Sequence, residues 1–375
     1  LRERLPEFMV PAVFVHLAAL PLNPSGKVDR KALPAPDPGP APGFVAPRTP
    51  AEETLAEIWQ EVLRLPRVGV HDNFFERGGH SLLAVLLMAR IEQRFGRTLP
   101  LATLFTAPTL AALAALVSAS AGQPGSRQGR SPLVAVKPHG DRPPFFCVHP
   151  IGGNVLCYLD LSRHLAPEQP FYALQTPDSG EGSVEAMAAR YLREVRRIQP
   201  HGPYRLGGWS MGGLVAFEMA RQLERAGEEL ELVALIDTPP PSSDPSSTPP
   251  ADEEMMAAFA DDLSRLSGHD AAISLEDLGP QVQPLFAMFA ANLQAGRAYA
   301  PGAFSGGVTL VLSQQTGAAR GPEIVDGWRR LALGGVAAST LPGDHYSLLR
   351  QPRVERLAAE LTARLAAAGT VRAAR

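Results

Sequence analysis

The sequence predicts a multidomain protein in which a small all-α unit precedes a larger α/β unit. Two stretches rich in proline, glycine and polar residues, 34–48 and 119–131, are typical of linkers and divide the 375 residues into three parts. Between the linkers, segment 49–118 places its apolar residues at helical spacing. The last segment, 132–368, alternates apolar strands with helical stretches, which is the pattern of a doubly wound sheet.

The small unit opens with a recognisable helix start. Thr49-Pro50-Ala51-Glu52 has the form of a capping box with proline at the first helical position. A second helix is predicted after Gly78-Gly79, and shorter helical pieces are predicted near 101–104 and 110–117. The first helix carries five apolar residues on one face: Leu55, Ile58, Trp59, Val62 and Leu63.

The larger unit contains the most informative motif, Gly208-Trp209-Ser210-Met211-Gly212-Gly213. An apolar run precedes it and a helix-like segment, 214–220, follows it. Glycines on both sides of the serine allow a sharp turn that leaves the hydroxyl exposed. Strand, turn and helix in this order form the nucleophile elbow of an α/β-hydrolase, which predicts Ser210 as the nucleophile. A glycine-rich turn that merely caps a helix has the same spacing.

A serine nucleophile needs a histidine base and a carboxylate that fixes the tautomer of that base. In α/β-hydrolases the chain order is serine, acid, histidine. His345, in a turn-rich loop near the end of the unit, fits as the base better than His269, which lies between two helical segments. Asp237 stands at the carboxyl end of the apolar run 232–236, where catalytic groups gather in parallel sheets, and is the predicted acid.

Other carboxylates fit the acid role less well. Glu323 and Asp326 come too long after the strand predicted at 308–312, and Asp344, next to His345, would point elsewhere. The prolines at 239–241 argue against Asp237 as a helix N-cap.

An oxyanion hole needs two backbone N–H groups. Met211 follows the nucleophile and supplies one of them. The loop 149–153 after an early strand supplies the other, and Ile151 is the expected donor because Pro150 has no N–H. His149 in this loop is interpreted as structural.

About 70 residues separate Asp237 from the strand at Val308, too many for a single crossover. They contain helical patterns near 252–266 and 281–298. Because the insertion, about 239–305, lies between acid and base, we expect a lid over the active site. A surface insertion without a role is the alternative.

Composition excludes several classes of function. The net charge of −3 and the lack of a Lys/Arg stripe argue against nucleic acid and anionic membranes as partners. The chain has no apolar run long enough to span a bilayer, no secretory signal and no predicted metal site. It begins with Leu1, as expected of a piece of a longer protein. Two unpaired cysteines, Cys147 and Cys157, suit a reducing compartment, and we expect the cytoplasm.

Ser81 is a second candidate for chemistry. It follows a Gly-Gly turn and begins a helix, so its hydroxyl lies beside a partly positive helix end that tolerates a phosphodiester. From the residues alone, a role as helix N-cap is the simpler interpretation.

The stretch 72–82 resembles the attachment motif of peptidyl carrier domains, in which this serine carries 4′-phosphopantetheine. Residues 5–11 and 20–33 resemble the end of an adenylation domain, and the hydrolase resembles the type I thioesterase that ends such assembly lines. Together these three parts resemble the C-terminal part of a nonribosomal peptide synthetase.

This resemblance implies a four-helix carrier domain at 49–118 and an α/β-hydrolase thioesterase domain at 132–368, followed by a tail at 369–375. It implies that a phosphopantetheinyl transferase modifies Ser81, and that upstream condensation and adenylation domains deliver the peptidyl substrate. The peptide would pass from Ser81 to Ser210 and leave by hydrolysis or macrocyclisation. Asp237 and His345 match the acid and base of the family.

Within the adenylation remnant, 1–33, Lys27 matches the lysine that contacts substrate, although Ser25 stands where asparagine is common. About 33 residues are too few to bury a core or to build a nucleotide site. Two alternatives remain for the whole chain: an editing thioesterase, and a carrier or docking unit whose hydrolase-like domain is inactive. A lipase or esterase does not explain Ser81 and its flanks.

Overall fold

A computed structural model describes residues 17, 21, 44–119, 131–176, 182–241, 252–267 and 282–373. The predicted adenylation remnant with Lys27, the rival base His269 and most of both linkers lie outside these residues. We call residues 44–119 the helical unit and the described residues of 131–373 the α/β unit.

The helical unit contains the four predicted helices. The side chain of Thr49 accepts a hydrogen bond from the N–H of Glu52 at 3.2 Å, so the predicted N-cap is confirmed. At the centre of the unit Trp59 packs edge-to-face on Phe74, with ring centroids 5.3 Å apart. The helices are α1 (Pro50–Leu63), α2 (Ser81–Phe95), α3 (Thr103–Thr106) and α4 (Leu110–Ala119).

The α/β unit is built on one seven-stranded sheet with the order β1-β3-β2-β4-β5-β6-β7. All neighbouring strands are parallel except β1, which pairs antiparallel with β3 at the edge. The doubly wound sheet predicted from the sequence is therefore confirmed. The strands are β1 (Leu133–Lys137), β2 (Phe145–Val148), β3 (Phe171–Leu174), β4 (Tyr204–Trp209), β5 (Leu230–Ile236), β6 (Val308–Ser313) and β7 (Val336–Leu341).

Helices cover both faces of this sheet. One apolar cluster joins one face of the sheet to α6 (Val184–Ile198), α7 (Met211–Arg225) and α10 (Gln314–Leu331). A second cluster joins the other face to α5 (Leu159–His164) and α11 (Val354–Ala373). The helix α11 continues beyond residue 368, where the sequence predicts the end of the unit.

The described part of the predicted lid contains two helices, α8 (Asp252–Ser267) and α9 (Val282–Ala298), between β5 and β6. The two helices pack together through Phe259, whose ring centroid lies 5.7 Å from that of Phe286 and 5.5 Å from that of Phe289. In turn, α9 packs on α7, and α8 packs on α2 of the helical unit.

The two units share apolar surface. Leu156 of the α/β unit is 5% exposed and belongs to the same apolar cluster as the core of the helical unit. In the other direction, Ala102 and Phe105 of the helical unit pack against the second cluster of the α/β unit. The helical unit is therefore docked on the lid side of the sheet, through α2 and the α3 region.

Candidate active site

Ser210 occupies a strained turn between β4 and α7, as the sequence predicts. Its φ of 57° and ψ of −125° are rare for a residue with a side chain, and its N–H donates to Ile236 O at 2.9 Å. A Cβ at Gly208 would lie 2.1 Å from the carbonyl carbon of Gly212, and one at Gly212 would lie 2.2 Å from Val148 O. Glycine is needed at both positions because backbone segments approach there without room for a side chain.

Asp237 is held by hydrogen bonds on both of its oxygens. It follows β5 and is 1% exposed, and its Oδ1 accepts from the N–H of Ser313 at 2.7 Å. Its Oδ2 accepts from the hydroxyl of Thr316 at 2.9 Å and from Nδ1 of His345 at 2.8 Å. The structure thus brings the predicted acid and base into direct contact.

The charge of Asp237 fixes the tautomer of His345. Burial acts to raise the pKa of Asp237, but hydrogen bonds from His345, Ser313 and Thr316 outweigh it and hold this pKa below its ordinary range. A carboxylate only accepts, so Nδ1 of His345 carries the proton that it donates to Asp237. Nε2 of His345 keeps its lone pair and can act as a base.

His345 lies beside the residue that precedes the nucleophile. Its ring centroid is 4.8 Å from that of Trp209, with an angle of 34° between the rings. Among the hydrogen bonds of these described residues, none joins Ser210 Oγ directly to His345. Such bonds are often long in free enzymes and tighten when substrate binds.

The two predicted oxyanion donors lie on segments with defined geometry. Met211 is the first residue of α7, and the N–H groups of a first helical turn have no acceptor within the helix. The loop 149–153 is anchored by His149 N–H to Leu174 O and by Gly153 N–H to Pro150 O, both at 2.9 Å. These two bonds do not use the N–H of Ile151.

His149 is a structural residue of this loop. Its Nδ1 lies 2.7 Å from Pro150 O, and its Nε2 lies 2.8 Å from both Tyr191 Oη and Thr176 Oγ1. Burial lowers the pKa of His149 to about 4, so the ring is neutral. Nδ1 must be the protonated nitrogen because the carbonyl of Pro150 can only accept.

Both lid helices contact the site. From α9, Asn292 Nδ2 donates to Ile151 O at 2.8 Å. From α8, Asp262 Oδ1 accepts from the hydroxyl of Tyr346, the neighbour of His345, at 3.0 Å. The described helices of the insertion therefore each hydrogen-bond to a segment of the site, and their role as a lid stays a prediction.

The predicted rivals for the acid role are engaged elsewhere. Glu323 and Asp326 are exposed on α10, where they pair with Arg320 and Arg329. Asp344 accepts from the hydroxyl of Ser347 at 2.7 Å.

We expect the removal of the Asp262 carboxyl group to stabilise the protein, and the gain to depend on pH. Burial raises its pKa from an ordinary 3.8 to about 6, although the Tyr346 hydrogen bond and the charge of His345 act against this rise. The folded protein therefore holds the proton of Asp262 more tightly than the unfolded chain, and stability falls as the pH rises through 4 to 6. A shift of this size corresponds to roughly 3 kcal/mol at most.

We expect Asp262→Asn, which keeps an oxygen for Tyr346, to raise the free energy of unfolding at pH 8 and to change it little at pH 4. Urea unfolding at both pH values measures this difference. The control is Asp261→Asn, whose carboxylate is 57% exposed beside Arg265. An equal effect of Asp262→Asn at both pH values would contradict the prediction.

In the helical unit, Ser81 is the first residue of α2 but does not occupy its N-cap position. His80 holds the N-cap position, without a side-chain hydrogen bond to the helix. The interpretation of Ser81 as a simple N-cap is therefore wrong. The N–H groups of a first helical turn have no acceptor within the helix, so the start of α2 suits the phosphodiester of a group attached at the predicted site.

The N-terminal end of α2 faces the α/β unit. Burial, together with the positive charge of Arg350, lowers the pKa of His80. Arg350 follows His345 in the same region of the chain, and its guanidinium donates to the carbonyl of Arg265 at the end of α8. The predicted attachment residue thus begins a helix that is oriented towards the lid and the His345 region.

Several residues of the site were not predicted from the sequence. They are Thr316, Ser313, Asn292, Asp262 and Tyr346. One local signal exists: Ser313 and Thr316 have the spacing of a helix N-cap, and the Ser313 hydroxyl accepts from Thr316 N–H at 3.1 Å.

Within the described residues, no group of side chains could hold a metal ion, and no helix has the length and hydropathy needed to cross a bilayer.

Comparison with known proteins identifies both units. Residues 143–365 match the family of the thioesterase domain, and residues 53–117 match the phosphopantetheine attachment site. The chain belongs to the thioesterase family. The α/β unit is a thioesterase domain, and the cofactor of the helical unit is 4′-phosphopantetheine. Neither family match reaches the predicted adenylation remnant.

One similar protein is a nonribosomal peptide synthetase. The chain is 47% identical over 243 residues to the dimodular nonribosomal peptide synthase of Bacillus subtilis (strain 168). This alignment covers 64% of this chain and 10% of that protein. The chain therefore spans only a small part of the length of this relative. The predicted carrier and thioesterase region of a nonribosomal peptide synthetase is confirmed.

The solved structures that are similar to the chain include a synthetase and a thioesterase domain. One is a four-domain nonribosomal peptide synthetase, holo-AB3403, bound to AMP and glycine, with a TM-score of 0.60 and 32% identity over 95% of this chain and 29% of that chain. The other is the NocB thioesterase domain in covalent complex with a fluorophosphonate nocardicin G analogue, with a TM-score of 0.53 and 27% identity over 63% of this chain and 100% of that chain.

Proposed function

We propose that this chain carries a peptide on its helical unit and releases it with its α/β unit, as the end of a nonribosomal peptide synthetase. The peptidyl thioester attached through Ser81 is transferred to Ser210 and released by hydrolysis or macrocyclisation. The observation that carries this proposal is the 2.8 Å hydrogen bond between His345 and the buried Asp237, beside the strained turn of Ser210. When bound to Ser81, 4′-phosphopantetheine supplies the thiol that holds the peptide as a thioester.

The first half of the reaction is acylation of Ser210. His345 Nε2 takes the hydroxyl proton as Ser210 Oγ attacks the thioester carbonyl. Asp237 stabilises the positive charge that His345 then bears. The N–H groups of Met211 and Ile151 stabilise the oxyanion, and loss of one such donor costs about 3–4 kcal/mol of barrier. The thiol leaves with a proton from His345, and an ester on Ser210 remains.

The second half of the reaction releases the peptide. His345 removes a proton from water, which gives a free acid, or from a nucleophile within the peptide, which gives a ring. The helices α8 and α9 over the site favour one outcome by limiting the access of water.

The wider organisation belongs to the same proposal. Segment 49–118 acts as the carrier, 132–368 acts as the thioesterase with its lid at about 239–305, and segments 34–48 and 119–131 are the linkers on either side of the carrier. A phosphopantetheinyl transferase modifies Ser81, and upstream condensation and adenylation domains deliver the peptide. The fusion of carrier and thioesterase argues against an editing enzyme, and the hydrogen-bonded pair of Asp237 and His345 argues against an inactive domain.

Time-resolved mass spectrometry of the intact protein tests the proposal. The carrier is loaded from an acyl-coenzyme A by a phosphopantetheinyl transferase, and the acyl mass is followed. We expect it to appear and then to disappear with formation of acid or ring. An acyl mass that persists on wild-type protein with every acyl group tried would overturn the releasing function, and failure to load would overturn the carrier function.

Asp237→Asn is expected to lower kcat by roughly 10⁴-fold with little loss of folding, because the amide can present a donor to Nδ1 and select the wrong tautomer of His345. The measurement is thiol release from an acyl-N-acetylcysteamine thioester. The control is Asp326→Asn, an exposed residue of α10 that pairs with Arg329. Retention of wild-type kcat by Asp237→Asn would show that Asp237 is not the acid.

A further inference from the structure

One face of the lid helix α9 covers both segments that would supply the oxyanion hole. Met288, Asn292 and Gly296 are spaced one helical turn apart and therefore lie on the same face. A Cβ at Gly153 would lie 2.1 Å from Met288 Sδ, and a Cβ at Gly296 would lie 3.8 Å from Met211 Cγ. Asn292 is the polar residue between these two contacts.

Asn292 hydrogen-bonds to the loop that contains Ile151. It is 1% exposed, and its Nδ2 donates to Ile151 O at 2.8 Å and to Thr176 Oγ1 at 3.4 Å. Thr176 also contacts Nε2 of the structural His149 at 2.8 Å. The loop bonds described above hold His149 and Gly153, so Asn292 adds a hydrogen bond at Ile151, midway between them.

Stability alone does not account for an amide at this position. Because Ile151 O can only accept, the amino group of Asn292 must face it and Oδ1 must point away. Oδ1 is buried and has no hydrogen-bond partner among the described residues. A buried acceptor without a partner costs about 1–3 kcal/mol, which an apolar side chain of similar size would avoid.

We propose that Asn292 is a positioning residue that orients Ile151, so that the N–H of Ile151 points at the developing oxyanion only when α9 is packed on the site. The bond to the Ile151 carbonyl restricts the rotation of this residue within the loop. The lid helix and the oxyanion hole are thereby coupled through one side chain. This inference rests on the proposed function, because it assigns Asn292 a role in the acyl transfer to Ser210.

Asn292→Leu tests the inference, with Gln294→Leu as the matched control. Both variants replace an amide by leucine on α9, but Gln294 is exposed. The substrates are N-acetylcysteamine thioesters of a short and a long acyl group. We expect Asn292→Leu to lower kcat about 10- to 100-fold for both substrates, somewhat less than complete loss of an oxyanion donor. We expect KM to change less than about threefold, and the unfolding temperature to stay the same or rise.

Each other result has a defined meaning. Wild-type kcat in Asn292→Leu overturns the inference, as does a rise in KM for the long acyl group at unchanged kcat, which would place Asn292 in acyl binding instead. If Asn292→Leu does not fold, Asn292→Ala loses the donor without adding bulk and is expected to show the same loss of kcat. Turnover that does not depend on Ser210 overturns the proposed function itself, whereas Ser210-dependent turnover that Asn292→Leu leaves intact overturns only this inference.

Discussion

Ser210→Ala is expected to abolish release and to leave the acyl group on the carrier. The variant retains the carrier and the site of attachment, but no oxygen remains to attack the thioester. Loss of the nucleophile in a serine hydrolase lowers kcat by roughly 10⁶-fold, since the other members of the triad act only through it. Intact-protein mass spectrometry after loading should show an acyl mass that disappears from wild-type protein and persists in the variant.

The control for this experiment is a serine of the same unit that has a purely local contact. Ser162 in α5 donates to Leu159 O at 2.7 Å, so Ser162→Ala should release the acyl group at the wild-type rate. Turnover of soluble thioesters by Ser210→Ala at the wild-type rate would disprove the assignment of the nucleophile. The alanine substitution should not destabilise the fold, because it leaves the glycines that permit the turn in place.

Ser81→Ala is expected to abolish the function of the helical unit and to leave that of the α/β unit intact. Without this hydroxyl, 4′-phosphopantetheine has no attachment point, so loading and release from the carrier should be lost completely. Cleavage of a soluble acyl-N-acetylcysteamine thioester should stay within about twofold of wild type. This substrate diffuses to Ser210, His345 and Asp237 without the carrier, so the variant changes neither its binding nor the chemistry. Mass spectrometry measures the first effect, and thiol release measures the second.

Ser118→Ala is the matched control, since Ser118 is an exposed serine of the same helical unit. It should load and release normally. If Ser81→Ala still gained the mass of the cofactor, the attachment site would lie elsewhere in the chain. If it lost cleavage of soluble thioesters as well, the helical unit would contribute to the active site beyond delivering the substrate.

The sequence predicted those features that depend on short segments of the chain. The turn at Ser210 has a local pattern, since a strand, closely packed glycines and a helix follow one another directly. Asp237 could be placed because a continuous apolar run predicts a buried strand, and its carboxyl end marks the active edge of a parallel sheet. The order of Ser210, Asp237 and His345 then supplied the base.

Contacts between distant segments were not predictable from patterns of this kind. Thr316 follows β6 and reaches Asp237 only because β5 and β6 are adjacent and parallel. Asn292 and Asp262 lie in helices whose sequence does not indicate which face packs on the site. The ends of helices were also not predicted correctly. The helix α11 continues past residue 368, and His80 rather than Ser81 occupies the N-cap position of α2.

The burial of Leu156 affects the ratio between carrier that is docked on the α/β unit and carrier that is free. This leucine is buried in the core cluster of the helical unit, and a carrier that departs returns it to water. Exposing a leucine side chain costs about 1.5–3 kcal/mol, which corresponds to a ratio of roughly 10 to 150 between docked and free carrier from this residue alone. A carrier that shuttles among several catalytic domains must divide its time among them. If the chain carries and releases a peptide as proposed, a larger apolar residue at position 156 would favour waiting at the release site over return for the next elongation.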